Sequence, residues 1–191
     1  ITAGKMKELT KTNGQVKVFA GGKTYVYLDI DDVGRENIIE TPSIIVKSRG
    51  NIDFEFCNES FTHKNELWSY SSSNIEKINI KFIYYYIKSN LKYFRDCAIG
   101  GKLPQISVGV TDNFFVPIPS IKTQEKIVKT LDKFTNYVTE LKTELKTELK
   151  ARTKQYEYYR DMLLSENYLN AMSEKLDDFT QKEYRIKSST L

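Results

Sequence analysis

Histidine is nearly absent from this sequence, His63 being the only one in 191 residues. A nucleophile triad would have to use it as base, and no serine sits in a Gly-x-Ser-x-Gly elbow. The two cysteines, Cys57 and Cys97, show no metal-ligand spacing, which argues against a structural zinc site. They read as buried free thiols in a reducing cytoplasm. No apolar run approaches the roughly 20 residues of a membrane span, so no membrane partner is expected. The start, Ile1-Thr2-Ala3-Gly4-Lys5, has no apolar stretch behind it and is not a signal peptide. It also lacks an initiator Met and suggests a processed or trimmed chain. A strong charge bias is missing too. The net charge is only +4, and it divides into +2 over residues 1–120 and +2 over residues 121–191. A nucleic-acid partner would therefore need basic residues gathered in space. After Pro119 the sequence holds no proline and no glycine.

What is present is an ordinary soluble composition, 40% apolar and 28% charged, enough for one core plus an extended element. Val16 to Ala20 alternates and stops at Gly21-Gly22, and Thr24 to Leu28 alternates up to an acidic turn at Asp29–Asp32. Ser43 to Lys47 is a nearly continuous apolar run between Pro42 and Gly50. Ile52, Phe54 and Phe56 share one strand face, and Leu67 to Tyr70 reads as a further strand. Helical spacing follows at Ile83, Ile87, Leu91 and Phe94, with Asn79 as N-cap and Gly100-Gly101 as the stop. The expected fold class is α+β: a globular mixed β-core carrying a long, coiled-coil-forming α-helix. The boundary falls near Pro117 and Pro119.

From Thr123 onward the apolar residues Ile127, Leu131, Phe134, Val138, Leu141 and Leu145 are spaced 4, 3, 4, 3, 4. That spacing is a heptad seam. Leu149, Tyr156 and Leu163 continue it after a stutter, because Leu149 comes four residues after Leu145. These nine residues are the expected helix-pairing face. Glu140, Glu144 and Glu148 form one column and Lys142, Lys146 and Lys150 another; Glu148 and Arg152 make a favourable i,i+4 pair. Two opposite columns flanking a leucine stripe suit a second helix lying alongside.

Gly21-Gly22-Lys23-Thr24 resembles the end of a phosphate loop. Lys17 stands where its first glycine should be, so the segment reads as a β-turn. Asp53 and Glu55 lie two apart on one strand, without the further residues of a nuclease metal site. No catalytic residue, metal or cofactor is expected. The polar loop residues are more telling. Lys47 and Arg49 flank Ser48 and should point to one side of an extended chain. His63, Lys64 and Asn65 sit in a polar loop, and Lys102 and Gln105 follow Gly100-Gly101. With Lys23, these residue types suit guanine and adenine edges and phosphates, and on loops of a rigid domain they form a candidate DNA-reading surface.

The stretch Pro117-Ile118-Pro119, then Gln124-Glu125-Lys126-Ile127-Val128, Leu131-Asp132-Lys133-Phe134, and finally Lys154-Gln155-Tyr156-Glu157-Tyr158-Tyr159-Arg160-Asp161-Met162-Leu163-Leu164, closely resembles the conserved region of the specificity subunit of type I restriction–modification enzymes. The resemblance is close over 116–164 and looser upstream, where Gly14 to Lys23, the Ile44–Gly50 strand and turn, and Gly100 to Pro119 fall in the family's order. It implies a target recognition domain over 1–120, a spacer and dimerisation helix over 121–172, and a polar tail over 173–191 that approaches a second repeat. It further implies recognition of half of a split double-stranded DNA site. The implied partners are methyltransferase (modification) subunits, a motor-nuclease (restriction) subunit, and a second copy or second repeat met through the helix. It implies no chemistry in this subunit and a cytoplasmic location. One repeat, where the family has two, suggests a half-subunit or a fragment of a longer chain. A coiled-coil protein-interaction adaptor without DNA specificity is the alternative.

Overall fold

The computed structural model describes residues 14–20 and 25–175. Lys23 and its Gly21–Thr24 turn, the start of the chain, and residues 176–191 of the tail lie outside the described residues. The chain divides into two compact units, residues 1–133 and 134–191.

The first unit is built on two small sheets. In one, β1 (Val16–Phe19) pairs antiparallel with β2 (Tyr25–Leu28) and parallel with β5 (Phe61–His63). In the other, β3 (Ser43–Lys47) lies between β4 (Asp53–Cys57) and β6 (Trp68–Ser71), antiparallel to both. Every residue of β3 is buried, which is why its sequence runs apolar instead of alternating. One face packs Ile44 and Val46 with Ile52, Phe54, Ile87, Phe94 and Ile106. The other packs Ile45 with Phe19, Cys57, Phe61 and Leu67, joining the two sheets. Short α1 (Ile30–Val33) follows β2.

Helices cover the outer face of the second sheet. In α2 (Ile80–Ser89), the Asn79 Oδ1 accepts the backbone N–H groups of Lys81 at 3.0 Å and Phe82 at 3.3 Å, as the N-cap reading expects. The single helical stripe anticipated through Phe94 is split. Asn90 leaves the helical region (φ −100°, ψ 20°) and donates its side-chain amide to the Tyr86 carbonyl, and α3 (Leu91–Asp96) starts after it. Phe94 still reaches the same core, stacked edge-on to Phe54 with centroids 4.7 Å apart. The chain then returns through residues 99–106 and docks on the turn after β3. Ile106 N–H donates to the Ser48 carbonyl (2.9 Å) and Gly50 N–H to the Pro104 carbonyl (2.8 Å). Both turns need glycine: φ is +76° at Gly50 and +110° at Gly100, conformations that a Cβ disfavours. Helix α4 (Val108–Asp112) then holds the exposed end of β6, where Thr111 Oγ1 accepts the Trp68 indole N–H (3.2 Å) and Tyr70 donates its hydroxyl to Asp112.

Helix α5 (Ile121–Leu163) is one unbroken helix of 43 residues. Ser120 starts it, its carbonyl and hydroxyl accepting the Thr123 N–H. At about 1.5 Å per residue α5 is roughly 65 Å long. It ends at Leu164-Ser165, where Ser165 Oγ donates to the Met162 carbonyl and accepts the Tyr168 N–H, capping α6 (Glu166–Lys175). Among the described residues, no helix is long and apolar enough to cross a membrane.

Candidate nucleic-acid interface and helix seam

The loops named from the sequence meet at one end of the first unit. Arg49 and Gln105 form an isolated antiparallel bridge, and Gln105 also bridges Ile99. Lys102 lies between them in the Gly100–Pro104 turn, and all three of Arg49, Lys102 and Gln105 are exposed. Ser48 ties this cluster to the neighbouring turn, its Oγ donating to the Glu66 carbonyl at 2.9 Å. That turn carries Lys64 and Asn65, and Lys64 N–H donates to the Phe19 carbonyl at the end of β1. Residues Thr62 to Glu66 line a polar cleft of about 290 Å³ with Asn37 and Val33.

His63 is placed differently from the polar loop expected. It is the last residue of β5, paired with Phe19, and both ring nitrogens are engaged: Nδ1 with the Lys64 carbonyl (3.1 Å) and Nε2 with Ser69 Oγ (3.3 Å). Three residues long, with polar residues at two of them, this strand leaves no periodic signal in the sequence.

Lys47 does not join Arg49 on the surface. It is 6% exposed, and its ammonium sits 2.5 Å from Glu55 Oε2 and 6.0 Å from the centre of the Phe19 ring. The full pleat of β3 continues through Lys47, so its side chain turns towards the other sheet while Arg49 follows in the turn. Lys17 approaches the same carboxylate at 3.9 Å and Glu59 at 3.4 Å, over the Tyr25 ring. Burial would lower the Lys17 ammonium's pKa, but Glu59 first, then Tyr27 and other neighbours, hold it above its ordinary value. The Asp53–Glu55 pair weighed as a metal site is instead two lysine partners. Asp53 binds Lys88, and among the described residues no group of His, Cys, Asp or Glu could hold a metal ion. Cys57 is buried and Cys97 half-buried, both as free thiols. Cys97 therefore departs from the expected pair of buried thiols, lying half-buried at the C-cap of α3.

Sequence reasoning marked Gln124 as part of a motif without a task for it. Its side chain is fully buried and makes three hydrogen bonds. Oε1 accepts the Asn79 N–H (2.9 Å), and Nε2 donates to the carbonyls of Lys77 (2.9 Å) and Pro119 (2.8 Å). In a capping box the third residue of the helix reaches back to the N-cap N–H. Phe82 holds that place here, and Gln124 supplies the bond from another helix. One turn on, Val128 is buried, and two turns on, Asp132 accepts from Lys81 (2.8 Å) and from the Tyr85 hydroxyl (2.5 Å).

Gln124, Val128 and Asp132 lie one above another, about 100° around α5 from the heptad seam. The seam is therefore not the face used inside the first unit. Ile127 is 37% exposed, Phe134 61%, Leu145 68% and Leu149 69%; Val138, Leu141, Tyr156 and Leu163 are exposed as well, and Leu131 is partly covered. On the outer side, Thr139, Thr143 and Thr147 return their hydroxyls to carbonyls four residues back. Arg152 pairs with Glu148 at 2.8 Å, as the spacing anticipates.

A small α+β domain with polar loops gathered at one end, continued by a long helix with an exposed heptad seam, defines a class: mixed domains joined to a long amphipathic helix. Residues 2–151 match the model of the type I restriction modification DNA specificity domain, and the chain belongs to that family. It is similar to the specificity subunits of two type I restriction enzymes of Escherichia coli, 38% identical over 92 residues and 40% over 94. These alignments take in 47% and 46% of this chain and 23% of each relative, so the matched part spans about a quarter of their length. The fold is similar to the crystal structure of a type I restriction-modification S subunit from M. genitalium (TM-score 0.55, 21% identity), over 90% of this chain and 45% of that one.

Proposed function

We propose that this chain is a sequence-specific DNA-recognition part of a type I restriction–modification complex, reading one half of a split site. The observation that carries this reading is the match of residues 2–151 to the specificity-domain family. The clustering of Arg49, Lys64, Asn65, Lys102 and Gln105 at one end of the first unit supports it, because arginine and lysine suit phosphates and guanine, and asparagine and glutamine suit adenine. Residues 1–120 act as the target recognition domain and 121–172 as the spacer helix. The seam from Ile127 to Leu163 pairs with another helix, and the assembly docks methyltransferase subunits and a motor-nuclease subunit, which carry the chemistry. This chain is non-catalytic, in keeping with its relatives' description as specificity subunits of restriction enzymes. It works in the cytoplasm, where those partners meet DNA. Lys23 belongs to the same proposed surface; Lys47 and His63 serve it from beneath, as supports.

The test is duplex binding by the chain assembled with its modification subunits. Replacing Arg49, Lys64 and Lys102 together by Gln is expected to weaken binding at least tenfold at physiological salt. Unchanged affinity would remove the proposed surface. No affinity for any duplex, even with the partners present, would favour the protein-interaction adaptor.

A further inference from the structure

The backbone pairing at the loop end sets three side chains in one row. Arg49 stands directly opposite Gln105, between the bond from the Ile106 N–H to the Ser48 carbonyl (2.9 Å) and the bond from the Gly50 N–H to the Pro104 carbonyl (2.8 Å). Gln105 in turn stands directly opposite Ile99, and these two exchange both backbone bonds at 2.9 Å. Directly opposed residues of an antiparallel pair put their side chains on the same face. Burial follows that rule. Ser48 and Ile106 are buried, and Ala98 packs on the same core, whereas Arg49, Gln105 and Ile99 are all exposed. Opposed Cα atoms lie about 4.5 Å apart in the first kind of pair and about 5.5 Å apart in the second, so the row spans roughly 10 Å.

Ile99 is 82% exposed. A lone exposed apolar residue needs no explanation in itself. Its place beside Arg49 and Gln105 does, because the three chemistries belong together. Arginine matches the O6 and N7 of guanine, and glutamine the N6 and N7 of adenine. The apolar mark on the same base edges is the C5-methyl group of thymine. A branched aliphatic side chain covers a methyl group and takes no hydrogen bond from its neighbours. A row of this length also fits a major groove about 12 Å wide. The row is held before any ligand arrives, since its backbone bonds are made and the turn closes onto the end of β3: a Cβ added at Gly50 would meet Leu103 Cδ1 at 3.2 Å. Little ordering is then left for binding to supply.

We infer that Ile99 is a specificity-determining residue that covers the C5-methyl group of a thymine, in the base pair met by Gln105 or the one beside it. The inference rests on the proposed recognition of DNA by this domain and adds to it a residue with no charge and no hydrogen-bonding group. Deoxyuridine in place of that thymine keeps every hydrogen-bonding group of the base and removes the methyl alone. Its loss is expected to cost about fourfold in affinity, the worth of one buried carbon.

The experiment uses the chain assembled with its modification subunits and the duplex it selects from a random-sequence pool. Each thymine of that duplex is replaced in turn by deoxyuridine. The unaltered chain is expected to bind about fourfold more weakly at one such replacement. Ile99→Ala is expected to bind that replaced duplex and the selected one equally, with an unchanged salt slope, because no counterion is released at a methyl contact. Ile99→Val, which keeps the branched carbon, should retain part of the preference. Equal affinity of the unaltered chain for every replaced duplex would overturn the inference, and so would a methyl preference that survives Ile99→Ala. Either result leaves DNA recognition standing. A pool from which no duplex is selected would remove the DNA reading, and the role of Ile99 with it. Weaker assembly of Ile99→Ala with the modification subunits, the methyl preference remaining intact, would make Ile99 a protein contact and overturn the inference.

Discussion

Lys47 and Gln124 show how a polar side chain in this domain can be structural while resembling a ligand-binding group. Lys47 is closed in by β1 and β4, and its charge is balanced by Glu55. A buried ammonium that loses its partner keeps the desolvation cost without the attraction. Glu55→Gln is therefore expected to destabilise the chain by about 3 kcal/mol. Lys47→Met should cost less than half of that. It removes the buried charge itself, and Glu55, at 30% exposure, retains both water and Lys17. Urea unfolding of the two variants gives the comparison directly; equal losses would place Lys47 in a solvated pair. Gln124 differs because all of its bonds go to backbone groups. Gln124→Ala strands the Asn79 N–H and leaves two carbonyls without this donor, at a cost of about 3 kcal/mol on the usual penalty for unmade buried bonds. Gln124→Glu restores only the acceptor and faces the two carbonyls with oxygen, so it should not rescue stability in the same unfolding assay.

At the scale of elements, the attachment of α5 to α2 is sensitive to acid. Burial acts to raise the pKa of the Asp132 carboxyl, but hydrogen bonds from Lys81 and Tyr85, together with the Lys81 charge, outweigh it and hold the group below its ordinary 3.8. A carboxyl depressed in the folded state contributes stability above its unfolded value, and that contribution is lost as pH falls through the lower, folded value. The urea midpoint is therefore expected to drop between about pH 5 and pH 2, and Asp132→Asn should flatten that part of the curve. Identical pH profiles for the two proteins would show that the acid sensitivity lies elsewhere. Elements with a strong period were legible in the sequence: β1 to β4, β6, the Asn79 cap and the start of α5 all announce themselves by alternation, capping chemistry or proline. Elements decided by long-range contacts were not. Three-residue β5 forms because β1 offers it an edge, and the helix break at Asn90 depends on one side chain turning back to Tyr86. Of the candidate surface, alternation predicted a shared side for Lys47 and Arg49 but could not foresee that the Ser48 turn separates them. The tie between residues 49, 102 and 105 rests on hydrogen bonds across more than fifty residues, which no local pattern records.

Across the whole molecule, a net charge of +4 does not say which lysines of the first unit are offered to a polyanion. Lys17, Lys47, Lys81 and Lys88 each hold a carboxylate within the first unit. Among the described residues, Arg49, Lys64 and Lys102 are the basic groups at the loop end; three phosphate contacts correspond to a slope of about −2.7 in log affinity against log salt, and Lys23 on the same proposed surface would add about 0.9. Such a slope is shallow for a DNA-binding protein, so a single domain should bind weakly and depend on its partners for retention on the duplex. Each contact can be assigned separately. Lys102→Gln is expected to reduce the slope by about 0.9 and to weaken binding to all sequences alike. Gln105→Ala should leave the slope unchanged and alter the preference among target sequences, because a base-edge contact releases no counterion. Lys47→Met removes a charge that is 6% exposed and already paired with Glu55, and should change neither. Binding isotherms of these three variants in the assembled complex, measured at several salt concentrations on target and scrambled duplexes, separate the roles. A slope that responds to Lys47→Met but not to Lys102→Gln would place the phosphate path on the other side of the sheet pair and move the reading surface with it.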